Sequence, residues 1–336
     1  MRTTRGRALA LTIMLGCGTQ GGGDDGATSE AGSTSAATSN ATSAGTSSGD
    51  AASTGDPPTG GASSESTGSP PDMPPARACN GQAALCERRY DEVVFPCTHN
   101  AFAAREAGFQ AINANQNHTV AQQLVDGVRC MMLDVSEDKD ESVLCHGPCS
   151  FGRLDHAELL LEIADFMTAN PDEVLTILYQ DDIAVARIVA DLEAAGLVAM
   201  TYAHPPGDPW PTLAEMIDAG TRLVITAEAG GPPPAWYQHL WDLAWDTPYT
   251  WYAAEEFDCS LNRGQMGNDL FLINHWLSTE FDTPSEAGAE SVNAYDVLHA
   301  RAKACEAEVG RLPNFLAVDF YDHGELFAVV DALNGV

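Results

Sequence analysis

Lysine is nearly absent: Lys139 and Lys303 are the only two among 336 residues. Lys and Arg together number 16 against 48 Asp and Glu, a net charge of −32. Such a surface repels phosphate backbones and anionic bilayers, so non-specific phosphate-backbone binding is close to excluded. No C-x-x-C pair occurs, and the spacing that builds common zinc sites is therefore missing. No Gly-rich dinucleotide fingerprint or P-loop follows a strand-like run, which weighs against a nucleotide-binding open sheet. Large apolar residues are missing between Cys17 and Met73. A segment of that composition buries too little surface to offset its ordering entropy.

What is present divides the chain into three parts. Residues 1–17 read as a signal peptide: Arg2, Arg5 and Arg7 precede a short apolar run from Ala8 to Leu15, far below the ~20 residues that span a bilayer. Ile13-Met14-Leu15-Gly16-Cys17 is similar to a bacterial lipobox, in which the Cys carries lipid. The expectation is export, with membrane contact through a lipid anchor, at the outer membrane or outside the cell. An ordinary export signal cleaved near Cys17 is the alternative. Residues 18–78, rich in Gly, Ser, Thr and Pro, are expected to be a disordered linker with a reach of about 40–50 Å. Cys17 set aside, eight cysteines remain, and an even number behind an export signal points to disulfides. Spacing favours Cys79–Cys86 and Cys145–Cys149, which leaves Cys97–Cys130 and Cys259–Cys305; other connectivities stay open.

Residues 79–336 read as one α/β domain. Expected strands are 93–96, 128–135, 174–179, 222–226, 270–274 and 315–320. Expected helices are 120–126, 156–170, 183–195, 212–219, 289–310 and 325–333. Strands apolar almost throughout predict a parallel sheet buried on both faces. The length fits an irregular TIM-type (β/α) barrel, typically about 250 residues; an open doubly wound sheet is the competing architecture.

Polar residues gather where apolar runs end. Val93-Val94-Phe95-Pro96 leads into Cys97-Thr98-His99-Asn100, Met131-Met132-Leu133 into Asp134, and Val143-Leu144 into Cys145-His146. Leu175 to Tyr179 leads into Gln180-Asp181-Asp182, and Leu316-Ala317-Val318 into Asp319-Phe320-Tyr321. On a parallel barrel these ends converge on the face that carries active sites. Two histidines there suit a general base and a general acid, with Asp319 orienting one imidazole. Asn100 and Asp134 offer oxygen ligands to a hard cation. The bland readings are a loop-capping His99 and a His146 packed in the Cys145–Cys149 turn.

Pro96-Cys97-Thr98-His99-Asn100, Gly127-Val128-Arg129 with Leu133-Asp134, and Cys145-His146-Gly147-Pro148 resemble the X-domain of phosphatidylinositol-specific phospholipase C. Asn314 to Tyr321 resembles the last barrel strand of the bacterial PLC-like phosphodiesterases. The resemblance covers roughly Cys86 to the C-terminus. It implies a distorted TIM barrel that cleaves phosphodiesters, with His99 as general base, His146 as general acid and Asp319 orienting the base. It also implies attack by a neighbouring inositol hydroxyl and a cyclic product. Where metal-free members carry Arg, this chain has Asp134. The site therefore resembles the Ca²⁺-using type with a thinner set, Asn100, Asp134 and Gln180. Arg129, Arg263 and Tyr321 are the candidate substrate-binding residues for a phospholipid or other diester, although Arg129 lies an odd number of positions from Asp134 and so on the other strand face. Arg263 reads equally as a surface ion-pair partner, and His275 as a wall residue or a satisfied buried histidine. Two further readings are an inactive barrel that binds a surface lipid or glycan, and a phosphodiesterase for a glycerophosphodiester or sphingolipid.

Overall fold

The computed structural model of the chain describes residues 77–336, within a compact unit that runs from Pro75 to Val336. The expected signal peptide, lipobox and nearly all of the linker lie outside the described residues. Of the expected linker only Arg77 and Ala78 are described, and Arg77 already bonds Asp172 at 2.9 Å.

The chain follows the order β1 (Phe95–Thr98), α1 (Val120–Asp126), β2 (Cys130–Asp138), β3 (Glu141–Leu144), β4 (Leu154–Asp155), α2 (His156–Ala169), β5 (Leu175–Asp181), α3 (Val185–Ala194), α4 (Leu213–Ala219), β6 (Leu223–Ala227), β7 (Tyr237–His239), α5 (Leu240–Leu243), β8 (Ala244–Asp246), β9 (Arg263–Gly264), β10 (Leu270–His275), α6 (Glu286–Val292), α7 (Tyr295–Val309), β11 (Phe315–Val318) and α8 (Leu326–Asn334). The sheet runs β7-β6-β5-β2-β1-β11-β10-β8-β9. Its pairings from β7 through to β8 are all parallel. This is a TIM-type barrel of eight parallel strands, opened by a seam where β7 and β8 share no ladder. The small strands β3, β4 and β9 are antiparallel additions.

Strand parity sorts the core into two layers. Cys97, Cys130, Met132, Leu178, Val224 and Ala317 belong to the cluster that fills the barrel, with Tyr90 stacked on Trp210 at 4.6 Å within the same cluster. Met131, Leu133, Ile177, Ile225, Ile273 and Val318 face the helices instead. Both faces of each central strand are therefore apolar, which is why the strands read as unbroken apolar runs. All four expected disulfides are present.

Three expectations change. The single helix expected over 289–310 is two, because Asn293 leaves the helix to donate to the Asp319 and Phe320 carbonyls at 2.9 and 3.4 Å. β7 and β8 were not expected: with three residues each they carry too short an alternation to read. The strand expected to begin at Val128 begins at Cys130 and runs on to Asp138, where it pairs with β3.

Candidate active site

Register builds the mouth of the barrel. Thr98 pairs with Val318 and His275 with Val318, so one step further His99, Asp319 and Trp276 stand side by side on β1, β11 and β10. All three share the parity of the interior residues Cys97, Ala317 and Asn274. His99 Nδ1 lies 2.8 Å from Asp319 Oδ1. Trp276 stacks on the His99 ring, centroids 3.8 Å apart and planes 5° apart. Asp319 is 2% exposed, and its Oδ2 has no partner among the described residues. After His99 and after Asp319 the backbone turns into the left-handed region, at Asn100 (φ 45) and Phe320 (φ 47). For a residue as bulky as Phe this conformation is strained by about 1–2 kcal/mol, and such strain clusters where side chains must be aimed.

His146 sits inside the Cys145–Cys149 loop after β3. Its Nδ1 lies 2.8 Å from the Asn113 carbonyl, which can only accept, so Nδ1 holds a proton and Nε2 is the nitrogen left for chemistry. Asn113 Nδ2 returns a bond to the His146 carbonyl at 2.8 Å. Burial lowers the His146 pKa below the ordinary histidine value; the Asn113 bond opposes this, the charge of His99 lowers it further and that of Asp319 raises it. Asn115, two residues beyond Asn113, donates to Asp319 Oδ1 at 2.9 Å. The two imidazoles are thus moored to two residues of one irregular segment whose Cα atoms lie at most about 7 Å apart.

Asn113, Asn115 and Gln116 lie on the irregular segment between β1 and α1, and the reading of the sequence passed over them. Gln116 donates to the His99 and Val318 carbonyls at 2.8 and 3.1 Å and accepts from Tyr321 N at 3.2 Å. The signal available was the amide density of Asn113-Ala114-Asn115-Gln116-Asn117.

The Asn100 side chain lies between Asp134, 3.1 Å from both carboxylate oxygens, and His99 Nε2 at 3.2 Å. Asp134 pairs in register with Gln180 on β5. Burial pushes the Asp134 carboxyl up to about 7; His99 opposes, while Glu228 and Asp182 add to the rise. Gln180 is exposed, and its Nε2 donates to Asp182 Oδ2 at 3.3 Å. The all-oxygen donors Asn100, Asp134 and Gln180 fit a hard cation in kind, and the crowded carboxylates favour positive charge. In number they fall short of the ~6–8 oxygens Ca²⁺ takes. Among the described residues no three His, Cys, Asp or Glu stand close enough to hold a metal by themselves.

The substrate-binding candidates fare differently. Arg129 points away from the mouth: its Nε bonds Glu173 at 2.6 Å, Nη1 bonds the Leu124 and Val128 carbonyls, and its guanidinium lies over Phe166. The odd spacing from Asp134 is the reason. Tyr321 is buried against the helices, its hydroxyl on Asp126 at 2.6 Å. The left-handed turn at Phe320 rotates it off the interior parity. Arg263 is near the mouth but fully engaged, with Nε and Nη2 on Asp246 at 3.0 and 2.6 Å and Nη1 on Glu228 at 2.8 Å. Trp241 and Tyr249 flank it. His275 is a satisfied core residue between Arg301 and the Val292 carbonyl, pushed down to about 3 by burial and then by the Arg301 charge.

Comparison with known proteins follows the same outline. The sequence profile of the PI-PLC X domain (PI-PLC X 1) matches residues 85–334. An uncharacterized secreted protein of Arthroderma benhamiae is 28% identical over 310 residues, covering 83% of this chain and 69% of that protein. A PI-PLC X domain-containing protein of Arabidopsis thaliana is 28% identical over 277 residues, covering 73% and 62%. The phosphatidylinositol-specific phospholipase C of Listeria monocytogenes superposes with a TM-score of 0.51 at 16% identity, over 74% of this chain and 94% of that one. A mutant of the Staphylococcus aureus phosphatidylinositol-specific phospholipase C gives 0.52 at 12%, over 74% and 93%. At these identities the two structures speak for the barrel alone.

Proposed function

The chain belongs to the PI-PLC X domain family, and from that premise we propose that it is an exported phosphodiesterase that cleaves a phospholipid-type diester by intramolecular attack. The observation that carries the reading is the pair of imidazoles, each with Nδ1 engaged and moored to a single loop, beside the carboxylate of Asp319. His99 Nε2 takes the proton of a hydroxyl adjacent to the phosphate. The oxygen so freed forms a bond to phosphorus, and the bond to the leaving alcohol breaks. His146 delivers a proton from Nε2 to the leaving oxygen, and the products are a cyclic phosphate and an alcohol. Asp319 stabilises the imidazolium that His99 becomes. The hydroxyl is tethered to its target, so its effective concentration is high, and each proton transfer contributes about 10²–10⁴-fold.

In this reading Asn100, Asp134 and Gln180 would hold a Ca²⁺, which when bound would supply positive charge beside the phosphate. The four disulfides and the secreted relative support export, and a lipid at Cys17 would tether the enzyme to a membrane. The test is a panel of phosphodiesters with and without an adjacent hydroxyl, assayed with wild type, His99→Ala and His146→Ala. A cyclic phosphate formed by wild type and lost in both variants is the expected result. Undiminished turnover in both variants would leave a differently acting barrel as the better account, and no turnover by wild type an inactive one.

A further inference from the structure

Neither histidine is held by its own strand alone. His99 ends β1 and His146 stands in a loop after β3, yet both are tied to one irregular segment, residues 109–118, which contributes no residue to any ladder strand. Asn113 is 6% exposed and Asn115 1%, so both amides are removed from water and must find partners within the protein. The two amide nitrogens find them in the two histidine assemblies, while Asn113 Oδ1 has no partner among the described residues.

We propose that Asn113 and Asn115 are the positioning residues of the reaction, Asn115 fixing the carboxylate that orients His99 and Asn113 fixing the peptide that carries His146. The inference rests on the diesterase reading above. Asp319 Oδ1 receives Asn115 Nδ2 at 2.9 Å and His99 Nδ1 at 2.8 Å, while Oδ2 receives nothing. Among the described residues Asn115 is therefore the one side chain besides His99 bonded to the carboxylate. A second tie runs from Phe320 N to the Asn115 carbonyl at 2.7 Å and locks the strained turn behind Asp319. At the other histidine the bonds run both ways between residues 113 and 146 and close a ring. The disulfide bracket fixes the ends of that turn but not the rotation of the His146 peptide; the Asn113 amide fixes the rotation. With only Ala114 between the anchors, a shift at one end of the segment is carried to the other.

The two roles separate by leaving group. A proton from His146 matters when an alkoxide departs and matters little when a nitrophenolate departs, whereas proton removal by His99 is common to both. Asn113→Ala is expected to lower kcat about 10–100-fold on an alkyl diester, with the loss on the nitrophenyl analogue smaller by about tenfold. Asn115→Ala is expected to lower kcat by a similar factor on both substrates, with KM little changed. Asn115→Asp, equal in size but placing a carboxylate against Asp319, should do no better than Asn115→Ala. Independently of turnover, the downfield proton NMR signal of His99 Nδ1–H should shift or vanish in Asn115→Ala and persist in Asn113→Ala, in proteins whose circular dichroism matches wild type. Equal losses of Asn113→Ala on both substrates, or an unmoved His99 signal in Asn115→Ala, would overturn the assignment. A wild type inert on every diester, with the signal still responding to Asn115, would instead remove the enzymatic reading and leave the positioning intact.

Discussion

Replacing Asp319 by Asn gives a sharper result here than in a serine-protease triad. There the same change forces the wrong imidazole tautomer and costs about 10⁴-fold. In this barrel Asp319 Oδ1 already receives two donors, His99 Nδ1 and Asn115 Nδ2, and Oδ2 receives none. An asparagine at 319 satisfies both donors by placing its carbonyl at the Oδ1 position and its amide nitrogen in the empty direction. The tautomer and the geometry of His99 are then kept, and only the charge is removed. Unit charges about 4–5 Å apart at an effective dielectric constant of ~20 interact by about 3–4 kcal/mol, of which a retained neutral hydrogen bond preserves about 1 kcal/mol. The transition state should lose about 2–3 kcal/mol, a drop in kcat of about 30- to 150-fold. The buried, unpartnered amide nitrogen should also lower stability by about 1–3 kcal/mol, so assays belong well below the melting temperature of the variant. Steady-state cleavage of a soluble diester, with product analysis for the cyclic phosphate, measures the effect. A loss near 10⁴-fold would show that the tautomer flips and that the Asn115 donor does not govern the carboxylate. No loss would show that Asp319 does not act through His99.

Four further outcomes are expected. A general acid must be protonated to act, and burial holds His146 below the ordinary 6.5; kcat/KM should therefore fall on the alkaline side through a pKa under that value, and His146→Ala should abolish the limb. A limb centred above about 7 would contradict the assignment. Chelation of divalent cations should reduce turnover, and full activity in excess chelator would remove Ca²⁺ from the site. Mass spectrometry without reductant should find no free thiol in residues 77–336, and two or more would break the four-bridge framework. Removing Cys259–Cys305, 46 residues apart, should cost on the order of 4 kcal/mol, and Cys79–Cys86, 7 apart, about 2.5 kcal/mol by loop entropy; melting temperatures in the reverse order would refute that source of stability.

How much of this was readable depends on whether a residue obeys strand parity. His99 and Asp319 ended apolar runs, and parallel pairing of β1 with β11 put them on the same face at the same level. Arg129 obeyed the rule too, and its odd offset from Asp134 marked it as an outer residue bound to Glu173. Tyr321 broke the rule because the chain turns left-handed at Phe320, a conformation no one would assign to a phenylalanine from sequence. Asn113, Asn115 and Gln116 lie where there is no period to read. Their partners are fixed by tertiary packing, so only their density as amides set them apart.

Arg263 shows why charge composition stops short of a binding site. In a chain with so few cations, an arginine close to the barrel mouth invites assignment to a phosphate. Its position relative to the sheet gives another reason for it. β7 and β8 are the two neighbouring strands without a ladder between them, and Arg263 reaches from Asp246 at the end of β8 to Glu228 just beyond β6. Three of its nitrogens are taken, and two aromatic rings cover its faces. Burial alone would lower its pKa, but the two carboxylates outweigh it and hold the proton more tightly than usual. The guanidinium thus does across the seam what backbone hydrogen bonds do elsewhere in the sheet. A phosphate would have to displace a buried carboxylate to claim it, leaving that carboxylate unpaired at a cost of about 3–5 kcal/mol. On the diesterase reading we propose, positive charge for the scissile phosphate would then come from protonated imidazole and a bound cation, which is the arrangement that the acid-rich mouth around Asp134 favours.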